Sequence, residues 1–147
     1  MEREAKLTPE EIAELARIHA YHEDRGEFEP LMATLVEDCV YEFYPLGVQL
    51  EGADTILRYY QRVRREYTPC VQASELVELA ASESAAVVEY ALQLQLGGEL
   101  VEERLIVVLP VQGRLFGGER IYSSERMLRL LLGEMIEETK KIPTRIG

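Results

Sequence analysis

Glu103 and Glu119 are the carboxylates whose positions invite chemistry. Residues 87–96 alternate cleanly, with Val88, Tyr90, Leu92, Leu94 and Leu96 on one face. Gly97-Gly98 then supplies the two residues of a tight hairpin turn. A turn centred there sets Leu92 opposite Glu103 and Tyr90 opposite Leu105, so Glu103 falls on the apolar face between Val101 and Leu105. A second turn centred on Gln112 sets Leu105 opposite Glu119. The two carboxylates are then diagonal neighbours, roughly 7–8 Å apart, unless a one-residue slip sends one of them to the other face. Burial disfavours the charged form of a carboxyl, and a second carboxylate nearby does the same to one member of the pair. Such a group shuttles a proton near neutral pH without a cofactor. The structural alternative is an ion pair with an inward-turned Arg, or a sheet face only partly covered.

His19 and His22 form an HxxH pair on the first helix. At about 100° per residue they share one arc with Ile12, Leu15 and Ala16. Two such imidazoles can share a metal, but no third ligand has a recognisable spacing, so no metal is assigned. A pocket-lining His that binds or polarises a carbonyl is one reading, and a satisfied buried His is the other. Arg58, Arg62 and Arg65 lie on one helical stripe that could bind an anion, although in so acidic a chain they have many carboxylates to meet. No glycine-rich phosphate loop, nucleophile elbow or zinc motif is present, and no cofactor is expected.

These groups need elements to hold them. Thr8, Pro9 and Glu11 make a strong helix start, and the helix should run over 9–24 and stop near Gly26. A short helix is expected over 30–35, a strand over 39–44, and a third helix over 52–67 that carries Tyr60. Strands follow over 71–79, 87–96, 100–109 and 115–122, then a short capped helix ending at Gly133. Helices first and an antiparallel meander after reads as α+β. On the strand 39–44, Tyr41 and Phe43 share one face and Glu42 takes the other, facing outward unless the Pro45 turn shifts the register and brings Glu42 into the pocket.

The chain has 147 residues and a formal net charge of −11. That suits one domain with a sizeable core, and it disfavours nucleic acid or an anionic membrane as partner. Cys39 and Cys70 match no metal or redox spacing, and no leader-like segment precedes them, so a cytoplasmic location with reduced thiols is expected. Apolar content at Leu76, Ile106 and Val108 exceeds what one pocket covers, which suggests a homodimer through the outer sheet face.

The stretch "DRGEFEPLMATLVEDCVYEFYPLGVQLEGADTILRYYQ" resembles the signature of SnoaL-like proteins, in the nuclear transport factor 2-like superfamily. The matching positions are Gly26-Glu27, Leu31, Asp38 and Gly52, and the end "GERIYSSERMLRLLLG" also resembles the last strand and helix of several members. The likeness spans about residues 8–133, which leaves 134–147 as a C-terminal tail of a single domain. It implies a curved antiparallel sheet wrapped against three helices, a cone with an apolar pocket, and often a homodimer. The superfamily includes ketosteroid isomerases, polyketide cyclases, a limonene-epoxide hydrolase, dehydratases and non-catalytic carriers.

Carried over residue by residue, the isomerase oxyanion Tyr falls on His19 and the general-base Asp on Phe43 or Tyr44. The second Asp falls within a residue or two of Glu103, and the Tyr-x-Asp of many relatives is Tyr122-Ser123-Ser124 here. These departures argue against steroid isomerisation. The expectation is a small apolar ligand in a pocket walled by Tyr41, Phe43, Tyr60, Tyr90, Leu92 and His22, with Glu103, His19 and Glu119 as the candidate acid–base groups. A binding protein with the same pocket and no chemistry is the alternative.

Overall fold

A computed structural model describes residues 5–146. Helix α1 (Pro9–Arg25) begins with a reciprocal capping box. Thr8 donates its backbone N–H to Glu11 Oε1 at 2.9 Å, and Glu11 returns its own to Thr8 Oγ1 at 3.1 Å. The helix ends at Gly26, and its buried face carries Ile12, Ala16 and His19. Helix α2 (Phe28–Met32) lies earlier than the expected 30–35. The chain must turn by Thr34, whose hydroxyl bonds Leu31 O and whose carbonyl accepts from Phe116, because strand β1 (Leu35–Tyr44) has already begun.

β2 (Val48–Glu51) returns along β1, and α3 (Ala53–Arg62) starts after Gly52. The expected long third helix changes character at Val63. Residues Val63–Tyr67 form a π turn and Thr68–Cys70 a 3-10 turn, so the backbone swings into β3 (Val71–Ala81). β4 (Ala85–Leu96), β5 (Glu99–Gln112) and β6 (Leu115–Tyr122) make the meander. The segment after Gly133, expected as a tail, forms a 3-10 turn that buries Met135, and β7 (Lys140–Lys141) then pairs with β2.

The seven strands lie in the order β3-β4-β5-β6-β1-β2-β7. All neighbours are antiparallel except β1 and β6, which are parallel. Helices cover the concave face of this α+β sheet. The core there includes Leu31, Tyr41, Phe43, Ile56, Leu94, Phe116 and Leu128, all fully buried. No helix among the described residues is long and apolar enough to cross a membrane.

The β4–β5 hairpin has the expected register, with Leu92 opposite Glu103 and Tyr90 opposite Leu105. The next register departs from expectation. Val107 pairs with Ile121 and Val108 with Arg120, and an irregularity separates these from Val111 opposite Phe116. Gly118 explains why β6 bends here. Its φ is 140°, and a Cβ on it would meet Val40 O at 1.8 Å, so β1 and β6 approach more closely than any side chain allows. The displacement is an even number of residues, so Glu119 keeps its inward face but lies far along the strand from Glu103. Leu76 also moves. It pairs with Tyr90, on the cavity side of the edge strand β3, and not on the outer face with Ile106 and Val108.

The arginine stripe is largely spent on holding the C-terminal elements. Arg58 pairs with Glu138 at 2.8 Å. Arg62 is buried, with Nε on Glu134 at 2.8 Å and Nη1 on Leu130 O and Leu131 O at 2.8 and 2.9 Å. It thereby caps the end of α4 (Glu125–Leu132). Gly133 follows with φ 49°, and a Cβ there would meet the Arg62 guanidinium at 1.7 Å. The glycine makes room for the capping cation.

Candidate functional site

A cavity of about 190 Å³ lies between the concave face of the sheet, α1 and the end of α3. Its inner wall is apolar, from Val88, Leu92, Leu105, Val107 and Ile121. Its mouth is bordered by the exposed residues Asp24, Arg64, Thr68 and Ser74. Five of the expected residues line it: His19, Glu119, Tyr60, Tyr90 and Leu92. Tyr41 and Phe43 are fully buried behind that lining. Glu42 lies on the other strand face, where it accepts from Tyr44 Oη at 3.1 Å.

His19, Glu119, Tyr60 and Tyr41 form one buried network, and its proton order can be read from the partners. Thr34 donates its only hydroxyl proton to Leu31 O at 2.7 Å. It must therefore accept from His19 Nδ1–H at 2.7 Å. The other ring nitrogen, Nε2, faces Glu119 Oε2 at 2.8 Å, a separation that requires a proton between them. Tyr60 also donates to Glu119 Oε2, at 2.9 Å, so it accepts from the Tyr41 hydroxyl.

Burial alone pulls the His19 pKa down. The Glu119 hydrogen bond and the charges of Glu119 and Glu23 outweigh it, and the net movement is upward. One proton joins the pair, and the raised pKa favours it on His19. Burial holds the Tyr41 and Tyr60 hydroxyls well above their usual pKa, with the Glu119 charge adding to it. The network is closed on itself except at Glu119 Oε1, which has no hydrogen bond to a described residue.

A further carboxyl of the cavity is one the sequence reading missed. Glu23 lines the cavity one helical turn after His19, and its one polar neighbour among the described residues is the Tyr60 hydroxyl, which is already given to Glu119. Burial pushes its pKa up to about 7; the Glu119 charge raises it further, and His19 offsets part of the rise. The spacing i, i+4 from His19 was the available signal, since Glu23 lies nearer to His19 around the helix than His22 does. Tyr67 and Tyr90 also line the cavity with hydroxyls free of described partners. Burial raises both pKa values and the Glu23 charge adds to the rise, which puts both rings within its field.

Glu103 is the main correction. It is inward-facing and 7% exposed, as its register requires, but it does not line the cavity. It lies past the end of β6, where Ser124 Oγ donates to both its oxygens at 2.9 and 2.7 Å and Arg126 Nε donates at 3.1 Å. Ser124 is the N-cap of α4 and accepts from Met127 N–H at 3.1 Å. Glu103 therefore orients a helix cap, and its Arg partner lies at the surface and is not the inward-turned Arg of the structural alternative. The separation of Glu103 from Glu119 follows from the β5–β6 register. His22 is corrected too. It turns out of the cavity to Glu27 Oε1 at 3.1 Å, so the HxxH pair does not converge.

One nitrogen of His19 and one oxygen each from Glu23 and Glu119 lie within 4.8 Å of one another and could hold a metal ion. A metal would have to displace the proton that joins His19 Nε2 to Glu119 at 2.8 Å.

No family model and no curated protein matches the chain. Solved structures do. A candidate ketosteroid isomerase from Kribbella flavida DSM 17836 is 25% identical, with 80% of each chain covered and a TM-score of 0.65. An LEH-like epoxide hydrolase of M. tuberculosis is 18% identical over 88% of this chain and 96% of its own, with a TM-score of 0.64. A nuclear transport factor 2-like protein from Anabaena variabilis ATCC 29413 is 18% identical over 85% and 95%, also with a TM-score of 0.64. With its curved sheet, its covering helices and a cavity at their junction, the chain has the nuclear transport factor 2-like fold.

Proposed function

We propose that the chain is an enzyme that moves a proton on a small, mainly apolar organic molecule without a cofactor, with Glu23 as the acid–base group. One observation carries the reading. A carboxyl whose pKa burial brings to about 7, with no ion-pair partner among the described residues, borders a cavity whose inner wall is apolar. A group with that pKa is populated in both protonation states at neutral pH, which is what a proton shuttle needs. Tyr67 and Tyr90 are the free donors for a substrate oxygen. The His19–Glu119–Tyr60–Tyr41 network holds the charge that tunes Glu23, and Glu119 Oε1 is its one oxygen without a hydrogen bond to a described residue.

The solved neighbours named as an isomerase and an epoxide hydrolase support this class of chemistry. The size of the cavity narrows the substrate. A cavity of about 150 Å³ holds benzene, so one of about 190 Å³ accommodates a single ring with substituents. We place the chain with SnoaL-like proteins on the pattern from Gly26 to Gly52, and as a homodimer through the outer face that carries Val87, Ile106 and Tyr122, each more than a third exposed.

The test is solvent-deuterium exchange into a panel of single-ring ketones. Exchange should rise through about pH 7, and Glu23→Gln should lower it by roughly a hundredfold or more. Unchanged exchange in that variant would end the reading. A carrier function is the second reading, favoured because no buried side-chain N or O among the described residues lacks a partner. It predicts ligand retention and no exchange in either protein.

A further inference from the structure

We infer that the ligand of this cavity carries a basic nitrogen: a small lipophilic amine of single-ring size, held as an ammonium ion between Glu23 and Glu119. The inference rests on the reading of Glu23 as a proton donor and acceptor, and it names the chemical class of the ligand.

The charges around the cavity are unbalanced in one direction. Glu23, Glu119 and Asp24 line it, against His19 and Arg64. His19 is committed, with Nδ1 on Thr34 and Nε2 on Glu119. Arg64 stands at the exposed mouth and gives Nη1 to Asp24 O at 2.8 Å. Among the described residues Glu23 has no ion-pair partner, and the nearby charges that act on it are Glu119, His19 and Asp24.

Glu119 supplies a second, independent pointer. It is 6% exposed, and both its hydrogen bonds use Oε2. Its Oε1 is left to the cavity. Oxygens of Glu23 and Glu119 lie within 4.8 Å of each other. An N–H donor with two protons, at ordinary hydrogen-bond lengths of roughly 2.8 Å, spans that gap.

The proton balance closes within the site. A neutral amine enters, the Glu23 O–H bond breaks, and an N–H bond forms on the amine lone pair. The two charges appear together and cancel. A divalent metal would need the His19 Nε2 lone pair and so the loss of the 2.8 Å bond to Glu119, whereas an ammonium ion leaves the network intact. A carboxylate ligand would add a fourth negative group to the cavity.

The experiment is isothermal titration of the full chain at pH 8 with benzylamine, benzyl alcohol and benzoate, which share one ring and differ in charge. Benzylamine should bind roughly tenfold or more tighter than benzyl alcohol, as a charge-assisted hydrogen bond replaces a neutral one, and benzoate should bind most weakly. Glu23→Gln should erase the preference for the amine and keep the alcohol. Benzoate binding as tightly as benzylamine, or an amine preference that survives in Glu23→Gln, would overturn the inference. So would zinc chloride binding that benzylamine cannot displace, which would assign the cluster to a metal. Alcohol binding with no amine preference, beside Glu23-dependent ketone exchange, would sink the ammonium alone. An amine preference without any exchange would support the ammonium and sink the proton-transfer reading.

Discussion

Replacing Glu23 by Gln should stabilise the protein at alkaline pH and leave it unchanged in acid. An ordinary glutamate titrates at 4.5, and Glu23 titrates at about 7 in the folded protein. Below pH 4.5 the side chain is protonated in both states and costs nothing. Between pH 4.5 and about 7 the unfolded chain ionises and the folded one does not, so stability is lost as pH rises. Above pH 7 the loss is complete. At about 1.4 kcal/mol per pH unit, the interval from 4.5 to about 7 amounts to about 3 kcal/mol. Gln keeps the shape and removes the ionisation, so Glu23→Gln should gain up to about 3 kcal/mol at pH 8, or roughly 10 °C in Tm for a chain of this length. Thermal unfolding of both proteins at pH 4 and pH 8 measures it. A variant no more stable at pH 8, or one stabilised equally at both pH values, would refute the reasoning, since neither outcome tracks the charge.

Glu103→Gln should cost about 1 kcal/mol, because Gln still accepts from Ser124 and Arg126 is exposed, and it should leave exchange or ligand binding unchanged; a hundredfold loss of exchange would return Glu103 to the site. Arg62→Met should cost roughly 2–3 kcal/mol in urea unfolding, because it strands the carbonyls of Leu130 and Leu131 in a buried position. Ile106→Glu should turn a micromolar dimer into a folded monomer by sedimentation, and a parent protein already monomeric there would remove the dimer from the account.

The parts of the fold that were legible in the sequence are those set by local rules. The Thr8–Glu11 capping box, the left-handed Gly26 and the Gly97-Gly98 hairpin each depend on residues a few positions apart. The β5–β6 register was not legible, because it is set by contact between β6 and β1. Gly118 admits the Val40 carbonyl, and nothing local to β6 announces that neighbour. This one displacement moved Glu103 out of the site. It became a partner of Ser124, and Glu119 became a partner of His19. His19 was found for a sound reason, its place on the apolar face of α1. Glu23 was overlooked because a glutamate near a helix C-terminus reads as solvated. Only the closing of Tyr60 and the sheet over it shows that it faces a cavity.

The proposed chemistry depends on the ionisation of one side chain, and carbon-13 NMR of the Glu23 carboxyl reads it directly. With the resonance assigned by its loss in Glu23→Gln, the titration midpoint should lie near pH 7, well above the ordinary 4.5. A midpoint at the ordinary value would mean a solvated carboxylate on the rim, and would contradict both the proton transfer and the paired ammonium.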